Sequence, residues 1–96
     1  MENYKKVIND DGYNHIVSVT IPNSVTTIHS RAFDGCDYIT NINIPDSVIV
    51  IDDMAFCNCH SLASINVDHN NPYYTSIDGV LYNKDCTELL CYPAKK

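Results

Sequence analysis

The chain repeats itself every 23 residues. Residues 16–38 read IVSVTIPNSVTTIHSRAFDGCDY, residues 39–61 read ITNINIPDSVIVIDDMAFCNCHS, and nine of the 23 positions are identical. A third copy begins at Leu62 and departs from the pattern at Asp68. The matching positions are almost all apolar or turn-forming, as a stacked structural unit requires. The repeat therefore predicts a solenoid, because one such unit cannot bury its own apolar face whereas stacked copies can.

Each unit predicts the same local structure. An alternating pattern around Val19 indicates a short strand, which ends at Pro22 because proline has no N–H group for a sheet. A second short run with apolar ends follows at residues 25–28. Ser30 then stands where a helix N-cap would, and Asp53 takes the same position in the next unit. We therefore expect each unit to form a strand, a turn, a short strand and one helical turn.

Stacking places equivalent residues in internal columns. Neighbouring strands of a parallel sheet lie about 4.8 Å apart, so side chains 23 residues apart pack directly against each other. The predicted columns are Ile16, Ile39 and Leu62; Val19, Ile42 and Ile65; Ile21, Ile44 and Val67; and Phe33 with Phe56.

The residues I-P-x-S-V and A-F-x-x-C, repeated at this period, closely resemble the BspA-type leucine-rich repeat. The resemblance covers residues 16–67, and residues 71–85 also look like the D-G-V-L-Y-N-K-D hairpin of that family. It implies a solenoid used for protein–protein contact. Many family members lie on the surfaces of bacteria and parasitic protists and act in adhesion.

We therefore expect an α+β repeat solenoid with leucine-rich-repeat-like parallel β-rungs, short helical turns and a C-terminal β-hairpin cap. The Asp11-Gly12 pair favours a turn between an N-terminal hairpin's two strands. Caps are expected because open rungs expose strand edges and core. The predicted division of the single domain, residues 1–96, is an N-terminal cap at 1–15, repeat 1 at 16–38, repeat 2 at 39–61, a partial repeat 3 at 62–72 and a hairpin cap at 73–96.

The composition argues against nucleic-acid binding and membrane insertion. Six basic residues oppose twelve acidic ones, giving a net charge of −6, and basic pairs occur only near the two ends of the chain. A nucleic-acid-binding domain carries a basic patch, and a membrane-spanning helix needs about 18 or more apolar residues in a row. No signal peptide is visible. We expect an intracellular protein if the chain is complete, and a cell-surface or secreted one if it is a fragment of a larger family member.

No catalytic constellation is visible, so we expect no enzyme and no cofactor. The sequence lacks G-x-S-x-G, H-E-x-x-H and a phosphate-binding glycine loop. The set Cys57, Cys59 and His60, with His69 nearby, is a weak zinc signal, because C-x-C without a second pair does not match the usual spacings. Cys59 also aligns with Cys36 at an internal repeat position. We expect no metal, and a small metal or redox protein stays as a third hypothesis.

The outward-facing strand positions are the predicted binding surface. They are Ser18, Thr20, Asn41, Asn43, Ser64 and Asn66. Ile49 and Val50 replace two threonines of the preceding unit and are a candidate apolar contact. The first hypothesis is a protein–protein interaction module that binds another protein, or itself. The alternative is a fragment of a cell-surface adhesin acting as a structural spacer or cap, in which the polar residues only keep the sheet soluble.

Overall fold

The computed structural model describes residues 4–8, 14–33, 36–56 and 59–96, with side chains from Ser18 onward within these ranges. The regular elements in this part of the chain are strands. They are β1 (Tyr4–Ile8), β2 (Asn14–Thr20), β3 (Thr27–Ile28), β4 (Asn41–Ile44), β5 (Val50–Ile51), β6 (Ser64–Val67), β7 (Tyr74–Ile77), β8 (Val80–Asn83) and β9 (Leu89–Cys91). The described residues contain no helix long and apolar enough to cross a membrane.

The 23-residue period appears directly in the strand pairing. β2, β4 and β6 form a parallel sheet in which Val19 faces Ile42 and Ile42 faces Ile65. β3 and β5 form a second, two-stranded parallel sheet with the same offset. β1 pairs antiparallel with β2 and covers the outer edge of the first repeat. The predicted Asp11-Gly12 turn between β1 and β2 lies outside the described residues.

The apolar columns form one core between the two parallel sheets. Its buried members include Val19, Ile21, Ile28, Phe33, Ile39, Ile42, Ile44, Val48, Ala55, Leu62 and Ile65. The rings of Phe33 and Phe56 stack with centroids 5.6 Å apart, as the repeat predicts. Each fully buried aliphatic side chain contributes about 1.5–3 kcal/mol, so the stack is stable only while neighbouring repeats stay in contact.

The serine of the I-P-x-S-V motif links one repeat to the next. The Ser47 hydroxyl donates a hydrogen bond of 2.8 Å to the carbonyl oxygen of Val25. Within each repeat the proline carbonyl accepts from the valine N–H, at 3.0 Å for Pro22 and Val25 and 3.5 Å for Pro45 and Val48. The motif therefore forms a turn and joins it to the preceding turn.

The predicted helical turns are not confirmed, because the described residues contain no helix and have turns at these positions. Ser30 does not cap a helix: its backbone N–H donates to the carboxylate of Asp52 in the next repeat at 3.0 Å. Arg31 has φ 61°, outside the right-handed helical region. One isolated helical turn fixes several dihedral angles for a single hydrogen bond. The chain instead sends the N–H of Phe33 across to Ala55 of the next repeat at 3.0 Å.

The C-terminal strands β7, β8 and β9 form a three-stranded antiparallel sheet in that order. Asp78 and Gly79, with φ of 54° and 80°, make the two-residue turn between β7 and β8, the geometry that Asp-Gly favours. This sheet covers the outer edge of β6. The N–H of Ile65 donates to the Gly79 carbonyl at 2.9 Å, and the N–H of Val67 donates to the Ser76 hydroxyl at 2.9 Å.

Asn71 closes the third turn and is completely buried. It stands 23 residues after Val48, at a position that is apolar in the first two repeats. Its amide nitrogen donates to the carbonyl oxygens of Pro45 and Val48, both at 3.0 Å. Its amide oxygen accepts from the N–H groups of Tyr73 (2.8 Å) and Tyr74 (2.9 Å). Asn71 thus binds the Val48 carbonyl as the motif serine binds the corresponding carbonyl one repeat earlier.

Replacing Asn71 by alanine should destabilise the protein by about 2–4 kcal/mol, because the four hydrogen bonds of this buried side chain are lost together. Asn70→Ala is the matched control, since Asn70 is exposed and should cost no more than about 0.5 kcal/mol. Denaturant unfolding followed by circular dichroism measures both. Equal stability of the two variants would show that Asn71 does not hold the last repeat.

Gly79→Ala should cost about 2 kcal/mol or more, because alanine at φ 80° is strained and its Cβ would approach Ser64 too closely. The new Cβ would lie 2.8 Å from the Ser64 Oγ and 3.1 Å from its Cα. Asp85→Ala, in the exposed turn after β8, serves as the control. If the Gly79→Ala variant had the same melting temperature as the wild type, this turn would not pack on β6.

Candidate functional site

The six predicted binding residues lie side by side on the outer surface of the first sheet. We call them the polar face. They form two rows along the stack, Ser18, Asn41 and Ser64 in one row and Thr20, Asn43 and Asn66 in the other. Thr20 and Asn66 are exposed, and the other four are half-buried. The parallel register brings these residues together because each strand repeats the same in–out alternation at the same offset.

The polar face is linked by side-chain hydrogen bonds. The Asn43 amide donates to the Thr20 hydroxyl at 3.1 Å. The Asn66 amide nitrogen lies 3.4 Å from the Asn43 amide oxygen and 3.5 Å from that of Asn41. The Ser64 hydroxyl donates to the Asn66 amide oxygen at 3.0 Å. These contacts are exposed to solvent, so they orient the amides while adding little to stability.

A shallow groove of about 350 Å³ runs along one end of the polar face. Its walls include Thr20, Asn43 and Asn66 from the three strands, and Asn23 and Asp68 from the turns that follow. Asparagine presents a donor and an acceptor on one short side chain. The groove therefore offers hydrogen-bonding groups in a regular row, with Asp68 as a negative charge at one end.

The C-terminal sheet limits the polar face at the last repeat. Ser64 lies directly beneath Gly79, whose missing side chain lets the two backbones approach. Ser64 is half-buried, as are its row neighbours Ser18 and Asn41, and Asn66 is the exposed member of β6. The face ends where the turn between β7 and β8 begins.

Ile49 directly precedes β5 and Val50 is the first residue of β5, and they are 48% and 43% exposed. Their N–H groups both donate to the Thr26 carbonyl, at 2.8 and 3.2 Å. Backbone pairing therefore fixes these two residues, while their side chains stay in contact with solvent. They lie at the second sheet and not on the polar face.

The weak zinc signal is not assembled by the described residues. Cys59 is buried and its thiol lies 3.1 Å from the Phe33 carbonyl oxygen, whereas His60 and His69 are exposed. Cys57 lies outside the described residues. Within the described part of the chain, no three His, Cys, Asp or Glu side chains come together as metal ligands would. Burial raises the pKa of the Cys91 thiol above its ordinary value.

Two features were missed by reasoning from sequence. Asn71 is one; it aligns with Val25 and Val48 at the 23-residue period. A polar residue at this internal repeat position was the sequence signal that could have identified it. The other is a groove between the second repeat and β9, with exposed Met54 and Leu89 on its walls. No sequence signal predicted it, because it depends on how the C-terminal sheet packs against the repeats.

Residues 9–89 match the profile of the family described as BspA type Leucine rich repeat region (6 copies). No curated protein matches the chain at a significant level.

Two solved structures are similar to the chain. One is a leucine-rich repeat protein from Eubacterium ventriosum ATCC 27560, with 34% identity and a TM-score of 0.80 over 85% of this chain and 22% of that one. The other is the pneumococcal vaccine antigen PcpA, with 24% identity and a TM-score of 0.64 over 82% of this chain and 26% of that one. The PcpA match shows the fold alone. The chain spans about a quarter or less of the length of both proteins.

Proposed function

The chain belongs to the BspA-type leucine-rich repeat family, and we propose that it is a protein-binding module whose contact surface is the polar face. The observation that carries the proposal is the alignment of six polar side chains from three consecutive repeats into two rows beside an open groove. Repeat proteins commonly bind through such an extended surface. No catalytic group takes part in this function.

The chemistry of the polar face suits a hydrogen-bonding partner. None of its six side chains carries a charge, and asparagine and serine can both donate and accept. Their mutual hydrogen bonds hold the amides in place before binding, which lowers the entropy lost when a partner docks. A polypeptide with accessible backbone or amide groups fits this surface.

The alternative proposal is that the chain is a segment of a larger cell-surface adhesin and acts as a spacer or cap. It is favoured by the short span of the chain relative to similar structures, and by the cover that β7 and β8 place on the edge of β6. In this proposal residues 1–15 and 73–96 are caps around repeats at 16–38, 39–61 and 62–72, and the polar face only solvates the sheet.

Ile49 and Val50 offer a route to self-association. They are adjacent, apolar and more than two-fifths exposed. A contact between copies through these two side chains would bury apolar surface without involving the polar face.

The test is selection of peptides from a display library against the immobilised protein, followed by affinity measurements with two variants. Asn66→Arg changes an exposed residue of the polar face, and Asn70→Arg makes the same change at an exposed turn residue outside it. We expect Asn66→Arg to weaken the selected binders by about tenfold or more, a loss of about 1.4 kcal/mol, and Asn70→Arg to leave them unchanged.

Thermal unfolding checks that both variants fold like the wild type. The polar face would not be the contact surface if the selected peptides bound Asn66→Arg as tightly as the wild type. The same holds if both variants lowered the affinity equally. A library that yields no binder would favour the spacer or cap.

A further inference from the structure

A second groove lies between the second repeat and the C-terminal sheet. One wall is formed by residues 51–54 and Phe56, and the other by β9 with Glu88 before it. We call it the acidic groove. Its volume is about 470 Å³, within the range of pockets that hold small ligands or a few side chains. No polar-face residue is among its described lining residues.

The acidic groove combines apolar walls with carboxylates. Met54 is 44% exposed and Leu89 is 52% exposed, and both face this groove. Asp52, Asp53 and Glu88 line it as well. Among the described lining residues there is no lysine or arginine, and the Asp52 carboxylate accepts the backbone N–H of Ser30 at 3.0 Å. The described lining residues therefore carry a net negative charge.

The groove also runs along the edge of a sheet. Four consecutive residues, 88–91, line it. Because side chains in a strand point alternately to opposite faces, a groove that meets all four lies along the strand's edge. β9 is the last strand of its sheet and pairs only with β8 among the described strands. Edge strands of this kind accept an added strand from another polypeptide.

We propose that the acidic groove binds an extended segment of a partner protein in which aliphatic residues alternate with lysine or arginine, and that the segment adds a strand to β9. An extended segment of this sequence presents its aliphatic side chains on one side and its cations on the other. The aliphatic side chains then contact Met54 and Leu89, and the cations face Asp53 and Glu88. The site is separate from the polar face and does not depend on the function proposed for it.

None of the chain's own basic residues is among the described lining residues of the acidic groove. Lys5 and Lys6 lie in β1, which is paired with β2, and the N–H of Lys95 donates to the Leu62 carbonyl at 2.8 Å. The Lys84 ammonium group donates to the His69 carbonyl at 3.0 Å. The proposed occupant is a segment of a different polypeptide.

The experiment is a ¹H–¹⁵N NMR titration with a short synthetic peptide that alternates lysine and leucine. Two further peptides replace lysine by glutamate or leucine by serine. We expect saturable shifts of the amides at residues 51–56 and 88–91 with the lysine–leucine peptide only. Binding should weaken as salt is raised, because exposed charges are screened beyond about 10 Å at 0.1 M.

The protein variants separate the acidic groove from general charge attraction. Asp53→Lys combined with Glu88→Lys should lower the affinity for the lysine–leucine peptide by about tenfold or more, because both carboxylates are exposed and face the ligand. Asp46→Lys together with Asp85→Lys makes the same change of net charge away from the groove. It should leave the affinity within about twofold, the small change expected of distant, independent charges.

Four outcomes would overturn the proposal. The glutamate–leucine peptide could bind as well as the lysine–leucine peptide, or both double variants could weaken binding equally. The amide shifts could instead fall on residues 41–44 and 64–67, which would place the peptide on the polar face. Shifts at the acidic groove that appear with protein concentration alone would identify a second copy of the chain as the occupant, which also contradicts the proposal.

Discussion

The parallel pairing of equivalent strands, 23 residues apart, is the constraint on which the rest of the structure depends. A single unit carries Val19 and Ile21 on one face of a short strand and has nothing of its own to cover them. Pairing with the next unit supplies both the backbone hydrogen bonds and an apolar neighbour. Val19, for example, pairs with Ile42. The same pairing necessarily aligns the outward side chains, so the polar face follows from the register that forms the core.

Such a stack has an edge at each end, and the chain covers both with antiparallel strands. At the last repeat, the hydrogen bonds to the covering sheet differ from those between repeats. Hydrogen bonds from Ile65 and Val67 go to a glycine carbonyl and a serine hydroxyl of the C-terminal sheet. Asn71 holds the last turn with four hydrogen bonds and leaves no polar side-chain atom of its own unpaired. The C-terminal sheet that provides this cover also forms one wall of the acidic groove.

The sequence predicted the repeat, its register, the Phe33–Phe56 stack and the family, because each depends on side chains recurring at a fixed interval. The helical turns are not confirmed among the described residues, because cap residues such as Ser30 are equally suited to hydrogen bonds between repeats. The position of the polar-face residues follows from alternation, but whether a partner binds them does not. The acidic groove was beyond prediction, because it lies between elements whose packing no periodic pattern encodes.

Native-state hydrogen exchange at the outer edge of β6 tests most directly whether the stack is closed by its own C-terminal sheet. The amide of Ile21, which donates to Asn43 between two repeats at 3.0 Å, is the internal reference. If the C-terminal sheet closes the stack, the amides of Ile65 and Val67 should be protected to within about tenfold of that reference. Exchange of these two amides at the rate of an unstructured chain, with Ile21 still protected, would contradict the account.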